Sequence, residues 1–194
     1  MNKKYAWIAL LCLALLVLAI FFLTRQGKTS QEFFGSRIVP PVPAADFILV
    51  NQDDQSVKLT DLRGKYLLLF FGFTSCTNEC PATMAILREV RTGLADKTDL
   101  TRIVFISTDP TRDTPAAVKE FVDRFDPTAV GLTGSPSQLE PVWKDYGVVV
   151  LDGGETHSTR VYLVDPEGKL RLTYPSASDP NEIIHDIELL IEGS

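Results

Sequence analysis

The chain has 194 residues, 45% of them hydrophobic, with a formal charge of -6, a composition that fits one globular domain of ordinary size plus a short separate segment. Its 19 lysines and arginines are scattered, and the lack of a basic patch for phosphate argues against a nucleic-acid partner.

The first element is Tyr5–Leu23, which carries no charged or amide side chain. As a helix it would span roughly 28 Å, about one bilayer core. A cleaved signal peptide would have a shorter apolar region of about 7–15 residues, and no small-x-small cleavage site occurs before Thr24-Arg25-Gln26, so a retained membrane anchor is expected over residues 1–24. Leu11 precedes Cys12 where a bacterial lipoprotein signal requires a small residue, so Cys12 reads as a membrane-buried side chain. Lys3 and Lys4 compete with Arg25 and Lys28 across the span, leaving orientation weakly marked. The close pair Cys76 and Cys80 favours export of the domain beyond the anchor into an oxidising compartment.

Residues 25–45 are polar and then proline-rich, with Pro40, Pro41 and Pro43 close together, which predicts an extended tether. The globular domain is expected over residues 46–194. Phe47–Val50 and Ser56–Leu59 flank a polar turn and predict a hairpin on one sheet edge. Lys65–Phe73 is a near-continuous apolar run, as expected for a strand buried on both faces. Cys76 and Cys80 come next, and then a helix with Pro81 in its first turn and Met84, Leu87, Val90 and Leu94 at helical spacing. Arg102–Ser107 reads as another strand. Asp113 or Thr114 can cap a helix that begins at Pro115 and carries Val118, Phe121, Val122 and Phe125 on one face. Ser137–Tyr146 predicts a helix, Val148–Leu151 a short strand, Val161–Val164 with Leu170–Thr173 a hairpin, and Ile183–Ile191 a closing amphipathic helix. The sum is an α/β domain with a mixed central sheet flanked by helices, its cysteine loop at a strand's carboxyl end, where such sheets place their sites.

Two thiols four positions apart at a helix start lie within about one turn of each other. The helix N-terminus favours the thiolate, the form that attacks disulfides and binds metal. A purely structural disulfide would close too short a loop to restrict much chain entropy. Two thiolates suit Cu(I), and an added imidazole would give a soft three-coordinate site open to Cu(II) as well. The chain has only two histidines. His185 reads as a solvated side chain on the closing helix. His157 comes after the glycine-containing segment Gly153–Thr156, and its spacing is equally compatible with a ligand and with a surface residue.

Three motifs in order resemble the Sco/SenC family. Phe73-Thr74-Ser75-Cys76-Thr77-Asn78-Glu79-Cys80-Pro81 is similar to its CxxxCP copper loop, and Ser107–Pro115 to its DPxRDTP stretch. His157 ahead of Tyr162–Gly168 resembles its ligand histidine before the hairpin. The resemblance implies a thioredoxin-like fold behind a single N-terminal anchor, placing the domain in the periplasm on the cytoplasmic membrane. It also implies copper held by Cys76, Cys80 and His157, and assembly of the dinuclear copper centre of cytochrome c oxidase subunit II, with an upstream copper donor. Asp109 and Asp113 fall in the acidic motif. Asp109 is expected to be the supporting carboxylate because it comes directly off the strand end, whereas Asp113 reads as a helix cap.

An enzymatic reading stays open beside this one, a thiol–disulfide oxidoreductase in which Cys76 attacks and Cys80 resolves. Thr156–Arg160 lacks the proline that thioredoxin-type reductases place beside their cysteines, which favours metal. A peroxidase ranks last, because Thr74-Ser75 does not reproduce the proline-threonine approach to a peroxidatic cysteine.

Overall fold

The structure is a computed structural model that describes Leu13 and residues 15–18, 32–151 and 160–193. The chain divides into Met1–Glu32 and Phe33–Ser194. Leu13 and residues 15–18 are helical, and the rest of the expected anchor Tyr5–Leu23, including Cys12, lies outside the described residues. Among the described residues no helix is long and apolar enough to cross a membrane. His157 also lies outside them.

The second unit is built on eight strands: β1 (Ser36–Pro43), β2 (Ile48–Asn51), β3 (Ser56–Lys58), β4 (Tyr66–Gly72), β5 (Thr101–Ser107), β6 (Val130–Thr133), β7 (Arg160–Val164) and β8 (Lys169–Pro175). They form one sheet in the order β1-β8-β7-β4-β5-β6-β2-β3. β4, β5 and β6 run parallel, while β7 lies antiparallel to β4. Four helices complete the unit: α1 (Glu79–Gly93), α2 (Pro115–Asp123), α3 (Pro136–Asp145) and α4 (Pro180–Glu192).

Every residue of β4 is buried, which explains its unbroken apolar sequence. Because strand side chains alternate, Leu68 and Phe70 enter a core with Met84 and Leu87 of α1, Phe121 of α2 and Ile187 of α4. Leu67, Leu69 and Phe71 point the other way, into a second core with Leu139, Val142 and Trp143 of α3. The sheet is therefore covered on both faces, and the carboxyl ends of β4, β5 and β6 meet at one rim.

Three elements differ from the expectation. The proline-rich stretch assigned to the tether is β1, antiparallel to β8 with Ser36 opposite Thr173 and Pro43 opposite Lys169. Proline is tolerated there because β1 is an edge strand, where a missing N–H need not break a ladder. The compact unit thus begins near Phe33, before Asp46. Val148–Leu151, with its three consecutive valines, forms only an isolated bridge at Val150 instead of a strand. β6 was not expected at all. It is four residues long and contains Gly131, where a Cβ would lie 2.3 Å from Val118 Cγ1 and 3.1 Å from Val122 Cγ1, so no side chain fits without displacing α2.

Candidate metal centre

Residues 73–80 cross from the end of β4 to the first turn of α1. The Cys76 N–H donates to the Phe73 carbonyl oxygen at 3.2 Å, closing a tight turn, and the Cys80 N–H donates to Cys76 Sγ at 3.3 Å. Both cysteines are free thiols, Cys76 partly exposed and Cys80 buried, and the two side chains are themselves in hydrogen-bond contact. Cys80 reaches the core side of the sheet because residue 72 is glycine: a Cβ there would lie 2.9 Å from Cys80 Sγ.

The same loop drives the two thiols apart in acidity. Partial burial raises the Cys76 pKa, but the backbone N–H groups of Cys80, Asn78 and Glu79 at the start of α1, together with the Cys80 thiol, outweigh it and bring the pKa below that of an ordinary thiol. For Cys80, burial dominates. A hydrogen bond from the Phe73 backbone offsets little of it, and the neighbouring Cys76 adds to the rise, so the thiol is pushed up to about 12. The surroundings thus favour the thiolate at the partly exposed sulfur and the neutral thiol at the buried one.

Asp109 and Asp113 take different places from those their sequence neighbours suggest. Asp109, buried at the end of β5, pairs with the Arg112 guanidinium. Asp113 does not cap α2; the Thr114 hydroxyl does, accepting the Ala117 N–H at 3.2 Å. The Asp113 carboxylate turns instead to the cysteine loop. It accepts the Thr74 N–H at 3.1 Å, the Thr74 hydroxyl at 2.6 Å and the Ser107 hydroxyl at 2.6 Å. Burial raises its pKa; the Ser107 and Thr74 bonds oppose that, and the Asp109 charge adds to it. The structure thus brings Asp113, rather than Asp109, onto the loop that carries both cysteines. The choice was hidden in the sequence because Asp113 and Thr114 are both good cap residues beside Pro115.

His185 lies on α4, half-exposed, with Nδ1 3.0 Å from Asp186 Oδ1 and its ring edge-on to Phe34. It is tied to the entry of the chain into the domain, where Asp186 also accepts the backbone N–H groups of Phe34 and Gly35. Among the described residues no group of three histidine, cysteine, aspartate or glutamate side chains is gathered tightly enough to hold a metal ion. Cys76 and Cys80 are the thiol donors they supply.

The SCO1/SenC family model matches residues 40–192. A SCO2-like protein of Rickettsia felis is 34% identical over 149 residues, covering 72% of this chain and 72% of that protein. The crystal structure of Arabidopsis thaliana ScoI with copper bound superposes with a TM-score of 0.73 at 30% identity, covering 79% of this chain and all of that one. BsSco, described as carrying a disulfide switch and as a member of the Sco family of cytochrome c oxidase assembly proteins, gives a TM-score of 0.66 at 29% identity and covers 77% of this chain and 93% of its own. The fold is thioredoxin-like, a mixed central sheet flanked by helices. The chain spans less than two thirds of some curated relatives it matches, 64% of one and 61% of another.

Proposed function

This chain belongs to the SCO1/SenC family, and we propose that it is a copper-binding protein of cytochrome c oxidase assembly in which Cys76 and Cys80 hold the metal. The observation that carries the proposal is the pair of contacting thiols at the α1 N-terminus, one of them favouring the thiolate. Two adjacent soft donors, one partly exposed, fit Cu(I), the cargo such a protein would pass on. Copper-bound structures exist for Sco proteins of this fold. His157 is the third ligand in this reading, on the strength of its place in the family motif. The acceptor is the dinuclear copper centre of oxidase subunit II, and an upstream donor supplies the metal. Residues 1–24 anchor the domain on the periplasmic side of the cytoplasmic membrane, with a short tether between anchor and copper-binding domain.

This chain's own residues account for delivery in simple terms. Cys76 stands at the rim, where a partner's thiolates can approach it, while Cys80 lies behind it and is released second. Copper, when bound, supplies the electrophilic centre to which the sulfurs and then the acceptor coordinate.

A second reading rests on the same contact. The Cys76 thiolate attacks a partner disulfide, one partner sulfur leaves as thiolate, and the Cys80 thiol then loses its proton and displaces the second. The partner emerges as a dithiol and Cys76–Cys80 as a disulfide. The disulfide switch described for BsSco supports this route as a companion to copper handling.

Competitive Cu(I) titration of the full chain in detergent, beside Cys76→Ser and His157→Ala, separates the two. One copper per chain, with binding abolished in Cys76→Ser and clearly weakened in His157→Ala, is the expected result. Affinity no better than a simple dithiol and indifferent to His157 would overturn the copper reading and leave the thiol reaction.

A further inference from the structure

The buried carboxylate of Asp113 is not needed where it stands to make a helix. Thr114 already caps α2, and Asp113 is only 1% exposed, with its side-chain hydrogen bonds coming from Thr74 and Ser107 and not from a cation. Holding a carboxylate away from water is costly unless its acceptors are filled, and here they are filled by a hydroxyl and an amide from the cysteine loop and a hydroxyl from β5. The residue is immobilised through its backbone as well. Its N–H donates to the Asp109 carbonyl oxygen at 2.9 Å, and its own carbonyl oxygen accepts the Thr133 hydroxyl of β6 at 2.6 Å. Ser107 is held in turn, its hydroxyl accepting the Asp109 N–H at 3.0 Å and its carbonyl oxygen accepting Trp143 Nε1 of α3 at 3.0 Å.

Thr74 is the point at which that rigid frame grips the loop. It lies between Phe73, whose carbonyl oxygen accepts the Cys76 N–H and whose backbone also hydrogen-bonds to Cys80, and Ser75, which leads directly to Cys76. Only Ser75 separates Thr74 from Cys76, so a displacement of Thr74 is carried towards the sulfurs through one residue and through the Phe73 backbone bonds.

We propose that Asp113 is the positioning residue of the Cys76–Cys80 site, fixing the separation and direction of the two sulfurs by clamping Thr74 to the ends of β5 and β6. The proposal deepens the copper reading and rests on it for its metal arm. Ligand geometry held to fractions of an ångström by supporting hydrogen bonds is what distinguishes a tight site from a loose one, and losing such a partner typically weakens metal binding about 10–100-fold. Clamping likewise favours one sulfur arrangement over others, so the dithiol–disulfide equilibrium of the same pair shifts when the clamp is removed.

The test uses the full chain in detergent and the variants Thr74→Val, Thr74→Ser and Asp113→Asn. Two constants are measured for each: Cu(I) affinity by competition with a chromogenic chelator, and the equilibrium constant with glutathione. In the second reaction the Cys76–Cys80 disulfide forms as oxidised glutathione takes the two electrons and two protons and leaves as two thiols. Thr74→Val, which keeps the backbone bond and the side-chain volume but removes the hydroxyl, is expected to weaken Cu(I) roughly tenfold and to shift the glutathione constant several-fold while remaining folded. Thr74→Ser restores the hydroxyl and is expected to restore both constants, with Asp113→Asn falling between the two. Both constants of Thr74→Val within twofold of the parent would overturn the proposal, as would a lowered melting temperature with neither constant moved. Should the parent bind copper no better than a simple dithiol, the copper reading fails by itself. The glutathione constant then decides the positioning role: a shift reversed by Thr74→Ser upholds it, and no shift overturns it.

Discussion

At the scale of single residues, the site works by giving two identical thiols different surroundings. Cys76 receives backbone N–H groups at a helix N-terminus, whereas Cys80 sits against Gly72 in the core. Alkylation of the metal-free, reduced chain followed by mass spectrometry is expected to label Cys76 at lower pH than an ordinary thiol, with Cys80 unlabelled until far more alkaline conditions. Equal labelling of the two across the profile would contradict the arrangement. The buried thiol has a consequence for stability as well. Its pKa is raised on folding, so its contribution is complete below about 8.5 and fades as pH climbs towards about 12, the direction in which the neutral form is lost. The placement of this pair was legible in the sequence because it is local: four positions, with a strand before and a helix after, bring the two sulfurs to one helix start. The role of Asp113 was not, because its partners Thr74 and Ser107 are 39 and 6 positions away and only the folded sheet brings them together.

At the scale of elements, the helices are tied to the sheet by a few buried polar contacts as well as by their apolar faces. Arg91 of α1 forms a buried ion pair with Asp126, just beyond α2, and also reaches Thr128, so one side chain links α1 to the turn that leads into β6. Burial alone would raise the Asp126 pKa, but the hydroxyl and N–H of Thr128 and the Arg91 guanidinium outweigh it and lower the value. A carboxylate lowered in this way stabilises the fold above its unfolded value of about 3.9 and loses that contribution as pH falls further. Asp126→Asn leaves the Arg91 charge buried without its partner and is expected to cost about 3 kcal/mol in urea unfolding, with less loss of stability on acidification than the parent shows. A cost under about 0.5 kcal/mol would mean that the pair contributes nothing measurable. Sequence reading recovered the long periodic helices and the continuous run of β4, whose signals extend over many residues. It overlooked β6, where four residues and a central glycine give no pattern, and it over-read Val148–Leu151, where β-branched composition gives a single bridge at Val150 and no strand.

At the scale of the whole molecule, β1 forms one edge of the eight-stranded sheet and moves the start of the folded unit back to Phe33. The reading of residues 25–45 as a tether failed over Ser36–Pro43 because prolines signal extended chain equally well in a linker and in an edge strand. Hydrogen exchange separates these two states. A peptide covering Ser36–Pro43 is expected to retain slowly exchanging amides through its pairing with β8, whereas complete exchange on the time scale of an unstructured peptide would contradict the strand. Helices cover both faces of the sheet, and the partly exposed Cys76 lies at the carboxyl rim of β4, β5 and β6. In the proposed site both sulfurs ligate copper, and X-ray absorption on the Cu(I)-loaded full chain counts them. Two sulfur neighbours per copper, falling to one in Cys80→Ser, are expected; a copper shell of nitrogen and oxygen alone, unchanged by that substitution, would overturn the two-thiolate site.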